Sequence, residues 1–184
     1  MVNRSQITLY SGGHAGAEAE FGACAERWGI QEVNFSYAGH KITRHSNIIQ
    51  LTEEELRKGD VSMEIVSRHM NRTYHEAEKI RRIIRQIFHI VTNADHIFTI
   101  GWILENKTVK GGTGWGVELA KFFNRPVSVF DQKSNGWFTW QAQQWQPDQP
   151  KIEHHNFAGT GTRKLNDEGR QAIQDLFERS FGSA

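Results

Sequence analysis

A single cysteine, Cys24, rules out an internal disulfide, and only three prolines and no low-complexity tract argue against a linker-rich or disordered chain. No stretch approaches the roughly 18 consecutive apolar residues of a membrane-crossing helix. Met1 to Ser5 lead into a short apolar run rather than a signal-peptide core. A cytoplasmic location with no membrane partner is the expectation. Charge of one sign is also missing: the formal net charge is +1, so nothing global calls for nucleic acid or an acidic surface. The nine histidines carry no metal-ligand spacing, since His154-His155 is a dipeptide without a second pair. No metal and no cofactor are expected. Gly-x-Ser-x-Gly is absent, and Cys24 falls on an apolar helix face, so neither supplies a nucleophile.

What is present is an ordinary globular composition, 38% hydrophobic over 184 residues, long enough for one well-filled domain spanning residues 1–184. Gln6 to Tyr10 read as a strand ending in Ser11-Gly12-Gly13. Ala17, Phe21, Cys24 and Trp28 then recur at helical spacing over about 15–28, and Val33 to Tyr37 read as a second strand. Strand, glycine turn, helix and strand make the unit from which parallel sheets are built.

Residues 38–60 are polar, with His40, Arg44 and His45, and end in a short helix over 52–58. A helix over about Tyr74–Asn93 has an apolar stripe through Ile80, Ile84, Ile87 and Val91. Its opposite face carries Glu78, Arg81, Arg82, Arg85 and His89. With Arg68 and Arg72 these arginines read as a solvated face, not a nucleic-acid patch.

Asp95 to Gly101 read as a further strand, Thr113 to Phe123 as a helix and Pro126 to Phe130 as a strand. The helix over 113–123 is apolar around most of its axis, which suggests burial between the sheet and a partner subunit, hence a homo-oligomer. Residues 135–160 form an aromatic-rich elaboration with a hairpin near 141–144. Trp137, Phe138 and Trp140 there fit core packing or an oligomer interface better than base stacking. A last helix covers about 166–181, with Asn166 as its N-cap. The fold class that follows is α/β, a Rossmann-like doubly wound, mostly parallel sheet with helices on both faces.

Two glycine-rich loops each follow a strand and open a helix, the arrangement in which backbone N–H groups and a helix N-terminus receive a phosphate. Each alone is an ordinary turn; two in one domain point to a ligand site. The expected contacts are Gly12, Gly13, His14 and Gly16 from the first loop and Gly111, Gly112, Thr113 and Gly114 from the second. Glu118 would address a ribose, and Arg163 would clamp a phosphate by its fork of donors. His14 could donate to that phosphate. Each has an ordinary reading too: a dipole-favouring Glu118, a solvated Glu18 or His14, a salt-bridged Arg163.

The segments Ser11-Gly12-Gly13-His14-Ala15-Gly16-Ala17-Glu18 and Gly111-Gly112-Thr113-Gly114-Trp115-Gly116-Val117-Glu118 resemble the SLOG superfamily, the Rossmann-like group that includes the Lonely Guy phosphoribohydrolases. The second is similar to Pro-Gly-Gly-x-Gly-Thr-x-x-Glu, with Lys110 for the proline and Trp115 for the threonine. The first resembles the Gly-Gly-x-x-Gly-x-Asp of a molybdenum-carrier-like branch and its phage-encoded relatives, with Glu18 for the aspartate. The likeness covers about residues 5–131, and Phe157 to Arg163 are similar to further members. It implies nucleotides, nucleoside monophosphates or ADP-ribose-like molecules as ligands. Because Trp115 replaces the hydrolase threonine, sensing or sequestration is the preferred role. The alternative is N-glycosidic hydrolysis of a nucleoside monophosphate, with Glu118 and Glu18 as the two carboxylates.

Overall fold

A computed structural model describes residues 3–74 and 77–184. After a 3-10 turn at Arg4–Gln6, the chain runs β1 (Thr8–Ser11), α1 (Ala17–Arg27), β2 (Gln31–Tyr37), β3 (Ile48–Leu51), α2 (Glu53–Arg57), α3 (Asp60–His69) and α4 (Glu78–Thr92). It continues with β4 (His96–Gly101), α5 (Thr113–Phe122), β5 (Val127–Asp131), β6 (Gly136–Gln141), β7 (Gln144–Pro147), β8 (Asn156–Gly161) and α6 (Asp167–Phe181). The eight strands form one sheet in the order β3-β2-β1-β8-β4-β5-β6-β7. All pairings from β3 across to β5 are parallel, and β6 and β7 continue the sheet antiparallel. The α/β, doubly wound, mostly parallel architecture read from the sequence is the one found.

Alternation along the strands divides the core between two faces. On β4, Ile97 packs with the layer of α2, α3, α4 and α5, whereas Phe98 and Ile100 pack with α1 and α6. Phe21, Phe157 and Phe177 meet at ring separations of 5.9 to 6.5 Å on the second face. Each is fully buried, and each such ring contributes roughly 2–3 kcal/mol.

Three elements depart from the sequence reading. β8 has the sequence Asn-Phe-Ala-Gly-Thr-Gly, too poor in branched residues to read as a strand, yet it pairs with both β1 and β4 at the sheet centre. Its small residues serve packing: a Cβ at Gly159 would collide with the Phe21 ring of α1. The short edge strand β3 falls in the polar stretch over 38–60, for which the sequence reading offers no strand. The third departure is the polar face of α4, whose described part starts at Glu78; the expected start near Tyr74 runs through residues 75–76, outside the described residues. Arg85 and His89 are buried rather than solvated. Arg85 reaches Asp60 on α3 through two bonds of 2.7 and 2.8 Å, and His89 Nε2 lies 2.7 Å from the Glu55 carbonyl oxygen of α2.

The same packing answers the apolar character of α5. Its faces are taken by the sheet on one side and by α3 and α4 on the other, so its hydrophobicity needs no partner subunit. The β6–β7 turn uses Ala142 and Gln143 with φ of +48° and +60°, a pair of left-handed residues that the strand twist favours. Asn166 caps α6 by accepting from the Gly169 amide at 2.7 Å.

Candidate functional site

β1, β8 and β4 deliver three loops to one edge of the sheet, at the point where the strand order reverses. Open α/β sheets place their ligand crevice there. The first loop, Gly12 to Gly16, is held from both sides. The Gly13 carbonyl accepts from the Thr43 amide at 2.8 Å, the Arg44 amide at 3.2 Å and Thr43 Oγ1 at 3.0 Å. On the other side Ala17 N–H donates to the Thr162 carbonyl at 3.0 Å. Gly16 has φ +91° and ψ −131°, and a Cβ on it would come within 2.5 Å of Thr162 O.

Glu18 is buried and turned inward, not solvated. Its carboxylate accepts the amides of Gly12 and His14, the latter at 3.0 Å. Burial raises its pKa to about 7, against the opposing pull of those two amides and of Arg163. Two donors of the first glycine loop are therefore already engaged by the protein itself.

Beside it runs a chain of side chains. Arg163 Nη2 lies 3.2 Å from His14 Nδ1, His14 Nε2 lies 2.8 Å from His40 Nε2, and His40 Nδ1 lies 3.1 Å from Ser36 Oγ. A guanidinium can only donate, which fixes the direction of every bond. His14 Nδ1 accepts from Arg163, so His14 carries its proton on Nε2 and donates to His40. His40 in turn carries its proton on Nδ1 and donates to Ser36. Tyr37 stacks on His40 with ring centroids 4.6 Å apart. Burial pushes both imidazoles down to about 4; the neighbouring imidazole and Arg163 add to this for His14, and Arg163 alone adds for His40. Both rings are neutral at physiological pH. Gln86 of α4 completes the surroundings, bonded to His14 and donating to the Phe35 carbonyl at 2.6 Å.

His40, Ser36 and Gln86 were missed by the sequence reading. In the sequence His40 stands only within a polar stretch, and its partner His14 is 26 residues away. Arg163 and His14, both expected, are brought into contact.

The second loop is built differently. Gly111, with φ +71°, precedes α5, and Arg72 fixes the turn by donating to the carbonyls of Gly111 at 2.9 Å and Val109 at 3.0 Å. Gly114 is required because Val109 O leaves no space for a Cβ. Gly111 and Gly112 are exposed, with nothing within 4 Å of where a Cβ would stand, so this loop is open to approach. Thr113 begins α5 and is half-buried. Because β8 intervenes, the strands that precede the two loops, β1 and β4, are two strand spacings apart, about 10 Å.

Glu118 is not brought to Glu18, since α5 and α1 lie on opposite faces of the sheet. It bonds Lys121 at 2.7 Å, and Lys121 Nζ also donates to Lys107 O and lies 3.7 Å from the Trp140 ring and 4.8 Å from Trp145. Trp137, by contrast, is buried in the core layer of α1 and α6. Among the described residues no group of three or more His, Cys, Asp or Glu is placed to hold a metal ion. The arginines of α3, α4 and the segment between them are engaged locally: Arg82 with Glu53 and Glu78, Arg85 with Asp60, Arg72 with the second loop. No helix among the described residues is long and apolar enough to cross a membrane.

No family model matches the chain, and no curated protein matches it. Among solved structures, a candidate molybdenum carrier protein from Syntrophus aciditrophicus is similar, with a TM-score of 0.55, 16% sequence identity and 96% of each chain covered. At that identity the likeness is one of fold, and the chain is a Rossmann-like α/β protein.

Proposed function

We propose that the protein is a cytoplasmic member of the SLOG superfamily, near its molybdenum-carrier-like branch, that binds a phosphate-bearing nucleotide-derived ligand for sensing or sequestration. The observation that supports this most directly is Arg163. It is exposed at the crevice between the β1 and β8 loops and donates to a neutral histidine, and no carboxylate pairs with it among the described residues. A guanidinium with no carboxylate in ion-pair contact, next to a ring nitrogen and a helix N-terminus, favours an anion.

Gly13 and Gly16 shape the first loop, while Glu18 already engages the amides of Gly12 and His14. The phosphate contact therefore falls to the His14 and Arg163 side chains more than to those amides. Gly111, Gly112 and Thr113 offer the second, open contact, and the span of about 10 Å between β1 and β4 suits a nucleoside monophosphate lying across β8. The hydrolytic alternative loses support, because its two carboxylates, Glu18 and Glu118, belong to different faces and Glu118 is tied to Lys121.

Native mass spectrometry against nucleotides, nucleoside monophosphates and ADP-ribose isomers tests the reading, with chromatography of whatever is released. An intact bound ligand is the expected result. Free base with ribose phosphate would instead establish hydrolysis, and no binding across the panel would reduce both loops to turns.

A further inference from the structure

We infer that the anion contact is proton-coupled and selects a phosphate monoester: the entering dianion draws Arg163 off His14 Nδ1, and the freed His14–His40 pair takes up one proton and faces the ligand with it. This rests on the nucleotide-binding reading and adds to it a ligand class and two residues, His40 and Ser36.

The argument starts from the polarity of the chain. With Arg163 in place, His14 Nδ1 is an occupied acceptor, and every nitrogen of the two rings has a partner. Nothing in the chain can accept a further proton until the guanidinium leaves. Arg163 is the exposed end, and its Nη2–Nδ1 contact of 3.2 Å is the longest link, so it is the link a ligand can break. Once it moves, Nδ1 is a free lone pair at the crevice. The adjoining Nε2–Nε2 bond of 2.8 Å lets the second ring share the charge, while Ser36 Oγ receives the far N–H.

Charge matching selects the ligand. Arg163 alone neutralises the single charge of a phosphodiester. A monoester carries nearly two charges at neutral pH, and the second is met by the proton on the histidine pair. The groups facing the pair agree with this. Glu18 on α1, raised to about 7 by burial, is itself largely neutral below that pH, and Gln86 on α4 favours the protonated state of His14. Arg163, after the β8 strand, opposes it until it has swung to the phosphate. Tyr37 on β2 stays neutral, its hydroxyl raised by burial, and Arg82 on α4 acts on Tyr37 and is paired with Glu53 and Glu78.

The test is nitrogen NMR of the full chain with labelled histidines, using AMP as the monoester and 3′,5′-cyclic AMP as the diester. In the free protein at about pH 6.5, an ordinary histidine would be half protonated. His14 is expected neutral with its proton on Nε2, and His40 neutral with its proton on Nδ1. Saturating AMP should place one proton on the pair, and cyclic AMP none. Arg163→Gln, at an exposed position that leaves the core intact, should let the free rings titrate higher and weaken AMP by about ten-fold or more. AMP bound with both rings neutral overturns the proton coupling and leaves nucleotide binding standing. The opposite tautomers in the free protein overturn the polarity of the chain. No nucleotide binding at all overturns the underlying reading together with this inference.

Discussion

Gly16→Ala measures how tightly the first loop is locked against the segment that carries Arg163. Gly16 occupies φ +91°, ψ −131°, a conformation open to glycine, and an L-residue held there costs about 1–3 kcal/mol. The new Cβ would also stand 2.5 Å from Thr162 O, 2.6 Å from Arg163 Cα and 2.7 Å from Arg163 O, all backbone atoms. Moving that backbone adds an overpacking cost of about 1–3 kcal/mol and stretches the 3.0 Å bond from Ala17 N–H to Thr162 O. The sum is about 4 kcal/mol, a large part of the 5–15 kcal/mol typical of a domain. Gly29→Ala provides the control, with φ +68° but nothing within 4 Å of its Cβ, so only a backbone cost of about 1 kcal/mol remains. Urea unfolding of the two variants should separate them by about 3 kcal/mol. Equal losses within about 0.5 kcal/mol would mean that loop 12–16 does not press on residues 162–163.

Three further outcomes are expected. Glu18 keeps its proton to about pH 7 when folded but to about 4.5 when unfolded, so the native state binds more protons between these values and its stability falls as pH rises through them. Glu18→Gln should remove that slope, and a variant whose urea midpoint differs from wild type by the same amount at both ends of the window contradicts the burial argument. The imidazoles of His14, His40 and His96, held near 4 chiefly by burial, act in the opposite sense. Their contribution is complete above about pH 6.5 and is lost as pH falls towards 4, and an NMR titration showing any of these rings protonating near its ordinary value in the free protein speaks against it. Lys121→Met removes a half-buried cation from Glu118 and from two indole rings. A loss of about 1–3 kcal/mol with altered tryptophan fluorescence is expected, and an unchanged midpoint would deny these contacts any energetic role.

Several features were legible because they depend on neighbours in the chain. The spacing of Ala17, Phe21, Cys24 and Trp28 follows the helical period, and Ile97 to Ile100 form a short apolar run, so α1 and β4 could be read directly. Gly13 and Gly111 fall in turns with positive φ because the chain must reverse there between strand and helix. From such segments the α/β class and the two loops follow.

The tertiary structure decided what those loops face. Phe157 to Gly161 became the central strand β8 because small residues allow α1 to pack closely, a matter of contact with Phe21 rather than of propensity. That insertion sets the β1 and β4 loops two strands apart and brings Arg163, 149 residues on in the chain, to His14. Glu18 turned inward because the Gly12 and His14 amides needed an acceptor, and Glu118 turned away because Lys121 and two tryptophans hold it and its partner at the other end of the sheet. Buried polar groups take whichever partners the packing leaves within hydrogen-bond reach. Local sequence therefore determined the elements and the glycine turns, while long-range packing chose the partners of every charged group around them.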